Sequence, residues 1–252
     1  MDRDHFWLSE AQFLRISPYL PTNTRGKPRV DDRRVISGII HVLKSGGRWI
    51  DAPPAYGPKK TLYNRYVRWA AKGVWFNLFH ALAQAGGPPV QVLIDSSAVK
   101  AHRSASGGKG GRKNQAIGRS RGGRTTKIHA LTDEECRPLA FMLTGGQVAD
   151  CTAGMELLDR LPPCEILHGD KGYDSNAIRR QVEEAGTMPN IPPKTNRTWK
   201  NCFSPVLYRH RNAIERMFCR LKDFRRVATR YDRNAVNFLA AVCIAATVSY
   251  WL

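Results

Sequence analysis

Three carboxylates in this sequence stand out by their positions: Asp95, Asp170 and Glu215. Asp95 ends the apolar run 90–94 and Asp170 follows the run 165–168, so both are predicted at the carboxyl ends of strands. Strand ends are where α/β sheets build their sites. Aspartate is also a common turn and capping residue, so a structural role explains Asp170 alone equally well. The acids indicate a candidate site without defining its chemistry.

The third acid, Glu215, lies within a polar stripe on one predicted helix, residues 208–224. At about 100° per residue, Tyr208, Arg211, Glu215 and Lys222 fall within a sector of about 60°. The neighbouring sector is apolar and is predicted to pack into a core. An i, i+4 ion pair on a surface helix explains Arg211 with Glu215. It does not explain why a tyrosine and a lysine share the stripe.

The overall charge predicts a polyanionic partner. The chain has 252 residues, with 40 Lys and Arg against 21 Asp and Glu and a net charge of +19. Nucleic acid is the leading candidate and an anionic membrane surface the second. The most apolar stretch, residues 238–252, is shorter than the roughly 20 residues of a membrane span, so we expect a buried helix there. Residues 1–10 lack the apolar centre of a signal peptide, which favours a cytoplasmic protein.

The first part of the chain, residues 1–86, is predicted to be a small helical bundle. Ser9 and Gln12 form a capping-box pattern before a helix over 10–17. Apolar stripes predict further helices after Asp31, from Lys59 to Lys72 and over 75–84. The helix from Lys59 to Lys72 presents a basic outer face, which is typical of a helix-turn-helix DNA-binding domain, although it could also be an ordinary solvated face. The candidate DNA contacts on it are Lys59, Lys60, Asn64, Arg65 and Arg68.

The second part, residues 90–252, alternates between strand and helix patterns. A strand over 90–94 precedes a Gly- and Arg-rich loop at 103–124 and a hairpin over 127–144. Further strands are predicted at 165–168 and 188–191, with helices at 153–161, 175–185, 208–224 and 235–252. The order predicts a mixed α/β sheet with helices on its faces. Gly-Gly-Pro-Pro at 86–89 is the predicted hinge between two domains.

These motifs together resemble a known family. The spacing of Tyr208, Arg211, Glu215 and Lys222 matches the YREK signature of DDE transposases from bacterial insertion sequences, and the resemblance is to the group named after insertion sequence five. VLIDSSAVKAHRSA (92–105) and ILHGDKGYDS (166–175) resemble the blocks with the first two acids of that family. GGRTTKIHALTD (122–133) and LTGGQVAD (143–150) resemble the segments between them. Residues 47–82 resemble the family's helical DNA-binding region, so the resemblance spans nearly the whole chain.

The resemblance implies a ribonuclease-H-like catalytic domain and a two-metal phosphodiester transfer. By this resemblance Asp95, Asp170 and Glu215 would hold two Mg²⁺ ions, for which Mn²⁺ would substitute. Lys222 would contact the DNA backbone. Arg211 would either orient Glu215 or meet a phosphate, and Tyr208 would pack against DNA or against the core.

The resemblance also implies DNA as the partner. The protein would bind terminal inverted repeats, cleave the ends and join 3′-hydroxyls to target DNA, as a homodimer or larger assembly. With this resemblance, the basic loop is expected to become ordered on phosphates, the alternative being a solvated disordered loop. Its candidate contacts are Arg112, Lys113, Arg121, Arg124 and Lys127. A nuclease of the same fold and a DNA-binding protein without activity are the rival hypotheses.

Several other polar residues are given structural roles. Asp174 is expected to be a turn or N-cap acid, and Asp150 to cap the helix that follows it. The histidines near strand ends, at 102, 129 and 168, fit no metal-binding spacing. The six cysteines form no CxxC pair, so free thiols are expected rather than a zinc site or a disulfide framework.

Overall fold

The computed structural model describes residues 5–22, 29, 31–108 and 110–252, without the side chains at positions 112, 113 and 210. Seven strands in these residues form one sheet. The strands are β1 (Gln91–Ala101), β2 (Gly118–Ser120), β3 (Gly123–Asp133), β4 (Pro138–Gly145), β5 (Ile166–Gly169), β6 (Met188–Asn190) and β7 (Thr229–Arg230).

The sheet is mixed, as predicted, and β1 lies near its centre. Strand β3 pairs antiparallel with β1 along one edge, and β2 and β4 both pair antiparallel with the other edge of β3. On its opposite edge β1 pairs in parallel with β5 and, further along, with β7, while β6 pairs in parallel with β5. A meander followed by parallel crossover strands therefore surrounds the strand that carries Asp95.

Strand β1 is longer than the sequence predicted, because it continues past Asp95 to Ala101. The sequence predicts that the strand ends at Asp95, where the apolar run stops, although Ser96 and Ser97 continue it. They remain in the ladder because β3 pairs with β1 as far as Lys100 opposite Thr125. The parallel pairing with β5 is what ends early, at Ile94 opposite Gly169. Asp95 thus lies mid-strand, at the point where β5 diverges from β1.

Helices cover both faces of this sheet. They are α1 (Glu10–Ile16), α2 (Asp32–Ser45), α3 (Lys59–Ala71), α4 (Val74–Gln84), α5 (Gly111–Asn114), α6 (Asp150–Leu158), α7 (Asn176–Glu184), α8 (Pro205–Tyr208), α9 (Asn212–Lys222), α10 (Arg225–Ala228) and α11 (Ala235–Ala246). One core contains α6 and α7 against one face of the sheet. A larger core joins α1 to α4 with α9, α10 and α11 against the other face.

Helix α11 is the centre of the larger core. It contacts α2, α3 and α4 of the N-terminal region as well as β4, and its residues from Ala240 to Ala246 are buried. A helix that is apolar on all sides needs neighbours all round. The Tyr66 hydroxyl of α3 donates to the Asn237 carbonyl at 2.5 Å, and Phe79 of α4 stacks on Phe141 of β4. The N-terminal helices therefore share a core with the sheet, and the proposed division into two domains stays a prediction.

Several predicted boundaries are confirmed by their capping geometry. Ser9 and Gln12 form the capping box of α1, and Asp31 caps α2, which ends at the left-handed Gly46. Two long helices differ from the prediction. In place of one helix over 208–224, the structure has α8, which starts earlier because Ser204 caps it, then a 3-10 turn over Arg209–Arg211 and then α9, which ends at Lys222. The C-terminal helix ends in a π-helical turn over Thr247–Trp251.

The basic segment 103–124 is more structured than a loop. It contains a 3-10 turn over Arg103–Ala105, the short helix α5 and strand β2, whose Gly118 lies opposite Thr125 of β3. The sequence did not predict β2 because it has only three residues and lies among glycines and arginines, which show no strand pattern. All six cysteines are free thiols, as predicted. Within the described ranges, the structure has no helix long and apolar enough to cross a membrane.

We expect Gly38→Ala to destabilise the protein. A Cβ at Gly38 in α2 would lie 2.6 Å from the Tyr56 Cβ, and Tyr56 is fully buried. Overpacking of this kind costs about 1–3 kcal/mol, which exceeds the benefit of alanine in a helix. The free energy of unfolding in urea would measure it. Gly47→Ala is the matched control, since its nearest neighbour would be the Ser45 Oγ at 3.5 Å. Equal stability of the two variants would contradict the packing argument.

Candidate active site

The sheet itself places Asp95 beside Asp170. Ile94 of β1 pairs with Gly169 of β5 in parallel register, so the next residue on each strand is an aspartate. Asp170 then begins a 3-10 turn and accepts a hydrogen bond from the Gly172 backbone at 2.8 Å. The Asp95 carboxylate accepts from the Ser96 backbone at 2.7 Å. Two of the three predicted acids are therefore brought together by strand pairing.

The third acid reaches this pair through an arginine. Arg211, on the 3-10 turn before α9, donates to the Asp95 Oδ2 at 2.8 Å and to the Glu215 Oε1 at 2.7 Å. Its guanidinium lies 5.7 Å from the centre of the Tyr208 ring. Lys222, two turns beyond Glu215, donates to the Ser97 hydroxyl at 2.7 Å. The Tyr-Arg-Glu-Lys stripe thus lies along β1.

Strand alternation explains why these contacts form on one face. Leu93 and Val99 of β1 belong to the larger core, which contains α9. Asp95 and Ser97 share their face, because side chains alternate along a strand. The side chain of Arg211 is 19% exposed and that of Asp95 is 17% exposed, whereas Glu215 is 55% exposed. The site therefore opens to solvent on the side of Glu215.

Burial dominates the electrostatics of Asp95. Burial raises the pKa of Asp95, and the nearby Asp170 adds to the rise, while the Ser96 backbone and Arg211 oppose it. For Arg211, burial alone would lower the pKa, but Tyr208 and the carboxylates of Asp95 and Glu215 raise it. The guanidinium is the counter-charge that keeps this acid cluster together.

A second polar group lies on the opposite face of β1. The Ser96 hydroxyl donates to Asp150 at 2.7 Å, and the Lys127 ammonium donates to the same carboxylate at 3.0 Å. Asp150 was expected to cap α6, and this is wrong: the N-cap is Ala149, with no side-chain hydrogen bond. The sequence analysis did not identify Ser96 and Ser97 as site residues. The one feature that could have indicated them is that they are polar residues directly after Asp95, at the end of an apolar run.

Asp174 is an internal ion-pair centre rather than a turn or N-cap acid. Its fully buried carboxylate contacts Arg179 at 2.9 Å and Arg197 at 2.6 Å. It also accepts from the Lys194 backbone at 2.7 Å, whereas Ser175 is the residue that caps α7. Although burial would raise its pKa, hydrogen bonds from Arg197, Lys194 and Arg179 hold the pKa of Asp174 below its usual value.

The three histidines near strand ends, at 102, 129 and 168, contact protein groups. His129 is buried beside the Thr144 hydroxyl, and burial lowers its pKa to about 4, so it is neutral at pH 7. His168 is buried between Gln91 and Asn190, and His102 caps the following 3-10 turn. In the described ranges no three His, Cys, Asp or Glu side chains are grouped closely enough to hold one ion. The cation that Asp95 and Glu215 contact is Arg211.

The predicted DNA contacts on α3 fall into two groups. Lys59, Lys60, Asn64 and Arg68 are exposed on its outer face. Arg65 instead forms an ion pair with Asp32 and lies 4.7 Å from the centre of the Trp69 ring. That side chain is only 11% exposed, so it is already engaged within the bundle.

The predicted contacts of the basic segment are also divided. Arg121 and Arg124 are exposed beside the β2–β3 turn, and Arg124 donates to the Ser106 hydroxyl. Lys127 is bound to Asp150 and to the Val148 carbonyl. The backbones of Arg112 and Lys113 lie in α5, and their side chains lie outside the described residues.

Two family models match the chain in order. The model described as "Transposase DDE domain" matches residues 86–249, and the one described as "Putative transposase of IS4/5 family" matches residues 8–79. The chain belongs to the DDE transposases of insertion sequences, as its motifs implied.

Individual relatives agree with this family. The "Putative transposase for insertion sequence element IS402" of Burkholderia cepacia is 34% identical over 44% of this chain, a match that spans 55% of that relative. A relative named for element IS6501, from Brucella ovis, is 30% identical over 51% of this chain and 98% of its own length. Among solved structures, the piggyBac transposase in a synaptic complex with hairpin DNA has a TM-score of 0.51 at 11% identity, over 94% of this chain and 69% of that one. It shares the fold, so the ribonuclease-H-like prediction is confirmed.

We expect Asp174→Asn to lower stability by about 3–5 kcal/mol, because it leaves the buried Arg179 without its counter-charge. The pH dependence gives the sign. Since the folded-state pKa of Asp174 lies below the ordinary value of 3.8, its contribution is complete above that pH and is lost as the pH falls through the folded value.

Urea unfolding of wild type and variant, at neutral pH and at the lowest pH where both fold, would test this. The stability difference should shrink on acidification. Asp159→Asn is the control, since its carboxylate contacts only Gln181 among the described side-chain hydrogen bonds. A difference that stays constant with pH would rule out the ionised carboxylate as the source.

Proposed function

We propose that this protein cleaves the ends of its own insertion sequence and joins the resulting 3′-hydroxyls to target DNA. The observation that supports the proposal most is that Asp95 and Asp170 each follow a residue of the parallel pair Ile94 and Gly169, while Glu215 is linked to Asp95 through Arg211. These contacts connect the three acids of the family motif, which supports a shared role for them.

The donor types of this site fit a divalent metal. Carboxylate oxygens are the ligands that Mg²⁺ prefers, and Mn²⁺ accepts the same donors. We propose that Asp95, Asp170 and Glu215 hold the metal once they converge, since in the described residues, with Arg211 between Asp95 and Glu215, they do not yet form a group close enough for one ion. When bound, a pair of such ions activates the attacking oxygen and stabilises the leaving oxygen of a phosphodiester.

The residues around the acids would orient them and the DNA. The Ser96 backbone fixes the Asp95 carboxylate, and the Gly172 backbone fixes that of Asp170. Lys222 donates a hydrogen bond to Ser97 of β1. From this position the lysine could contact the backbone of a DNA strand bound at the site. Glu215 lies at the solvent side, where DNA would enter.

We propose that DNA is held at two further surfaces. The outer face of α3 would bind the terminal repeat through Lys59, Lys60, Asn64 and Arg68. Arg121 and Arg124 would contact backbone phosphates near the site, together with Arg112 and Lys113. Arg65 and Lys127 are placed less favourably for DNA, because both side chains are already paired with aspartates.

Transposition requires both ends of the element at once, so we propose a homodimer or larger assembly on DNA. The net charge of +19 favours association with the nucleoid in the cytoplasm. Terminal inverted repeats, rather than arbitrary duplex, would be the preferred substrate.

The wild type should cleave and join a labelled terminal-repeat duplex in Mg²⁺, whereas Asp95→Asn should bind the duplex without reacting. The physical reason is that the amide removes an anionic ligand while preserving the side-chain shape. Strand-transfer products on a sequencing gel would measure the reaction. Cleavage without joining would indicate a nuclease, and binding without any reaction by the wild type would contradict the catalytic proposal.

Arg68→Gln should weaken binding of the duplex severalfold and reduce the slope of log affinity against log salt by about 0.9, the value for one lost phosphate contact. Fluorescence anisotropy across a salt series would measure both. Arg180→Gln is the matched control. Arg180 is exposed on α7, a helix that packs on the opposite face of the sheet from α3. If both variants lose affinity equally, net charge rather than α3 governs binding.

A further inference from the structure

The contacts of Arg211 place a fixed positive charge among the metal-binding candidates. One end of the guanidinium contacts Asp95 at 2.8 Å and the other contacts Glu215 at 2.7 Å. An arginine cannot give up its proton at neutral pH. A divalent cation that uses the same oxygens must therefore compete with the guanidinium, which can leave only by moving.

The surroundings of Arg211 allow such a movement. Glu215 is more than half exposed, and the 3-10 turn over Arg209–Arg211 separates the arginine from the regular helix α9. The face of the Tyr208 ring lies beside the guanidinium. A rotation of this side chain would break two hydrogen bonds and leave the main helix in place.

A DNA phosphate is the partner that suits the released guanidinium. Arginine binds phosphate in the same two-pronged geometry as carboxylate. The nearby Lys222 adds positive charge along β1. A duplex backbone at the site would therefore offer Arg211 an alternative anion at the moment when its carboxylates are needed for metal.

We infer that Arg211 is an exchangeable counter-ion that couples DNA binding to metal loading. Without DNA it neutralises Asp95 and Glu215 and weakens metal binding. With DNA it transfers to a phosphate and releases both carboxylates for the metal. This inference rests on the proposed function, because it requires the acids to be the metal site.

Mn²⁺ binding, followed by electron paramagnetic resonance, would test the coupling directly. Wild type, Arg211→Gln and Arg216→Gln would be titrated with and without the terminal-repeat duplex, in the cold and before cleavage. Arg216 adjoins Glu215 on α9 and contacts the Cys136 sulfur, so its variant loses the same charge without losing the contact to the acids. Asp95→Asn with DNA would give the background of Mn²⁺ on phosphates.

The wild type should bind Mn²⁺ about tenfold more tightly with DNA than without it, a typical size for coupling between two sites. Arg211→Gln should bind Mn²⁺ about tenfold more tightly than wild type without DNA, and DNA should add little further. Arg216→Gln should behave as wild type. By reciprocity, Mn²⁺ should tighten DNA binding by the same factor in wild type and not in Arg211→Gln.

Thermal unfolding without metal provides a second readout. Arg211→Gln should unfold at a lower temperature than Arg216→Gln, since the acids lose their counter-ion, and Mn²⁺ should remove the difference. Far-UV circular dichroism would confirm that both variants are folded. Arg211→Lys, which keeps the charge without the fork, should restore much of the stability.

The outcomes separate the two proposals. If Arg211→Gln binds Mn²⁺ as weakly as wild type or more weakly, Arg211 orients the carboxylates rather than competing with metal, and the inference is wrong. If Asp95→Asn binds Mn²⁺ as tightly as wild type does in the presence of DNA, the acids are not the metal site, and the proposed function fails with it.

Discussion

Burial of one carboxylate beside a second acid is the constraint on which this site depends. The parallel pairing of β1 with β5 fixes Asp95 and Asp170 at adjacent positions, so folding forces two like charges together. Burial increases the cost, as the raised pKa of Asp95 indicates. Arg211 offsets it from one face of the sheet. On the other face Lys127 neutralises a further acid, Asp150, which is bound to Ser96. The basic residues near the site thus have an internal role in addition to any contact with DNA.

The packing of the chain connects the surface that is proposed to bind DNA to the sheet that carries the acids. Helix α11 is buried against α2, α3 and α4 on one side and against β4 on another. Since Tyr66 of α3 is hydrogen-bonded to Asn237 of α11, the basic helix cannot shift without disturbing this core. A rigid connection of this kind would fix the distance between a bound repeat and the acids. Because α11 has neighbours on both sides, the apolar residues of this C-terminal segment are almost completely buried.

The sequence predicted element types well and their side-chain partners poorly. Apolar periodicity identified α2, α3 and the mixed sheet, because these patterns follow local geometry. Apolar periodicity ended β1 too early, because Asp95, Ser96 and Ser97 are polar residues that make contacts at the site although they lie within the strand. The spacing from Arg211 to Glu215 was visible along the chain. The contact from Arg211 to Asp95, 116 residues earlier, depends on how α9 crosses β1, which local periodicity does not determine.

Two aspartates of this chain show how donor number separates a structural acid from a reactive one. Asp174 and Asp95 both accept hydrogen bonds from arginine in partly or fully buried surroundings. Asp174 has two arginines and a backbone amide, and its pKa is lowered because these donors outweigh burial. Asp95 has one backbone amide and a single arginine, which it shares with Glu215, and its pKa is raised. A carboxylate with few hydrogen-bond donors retains an affinity for a further cation. A site that binds a cation therefore requires a protein environment that leaves its carboxylates with few donors.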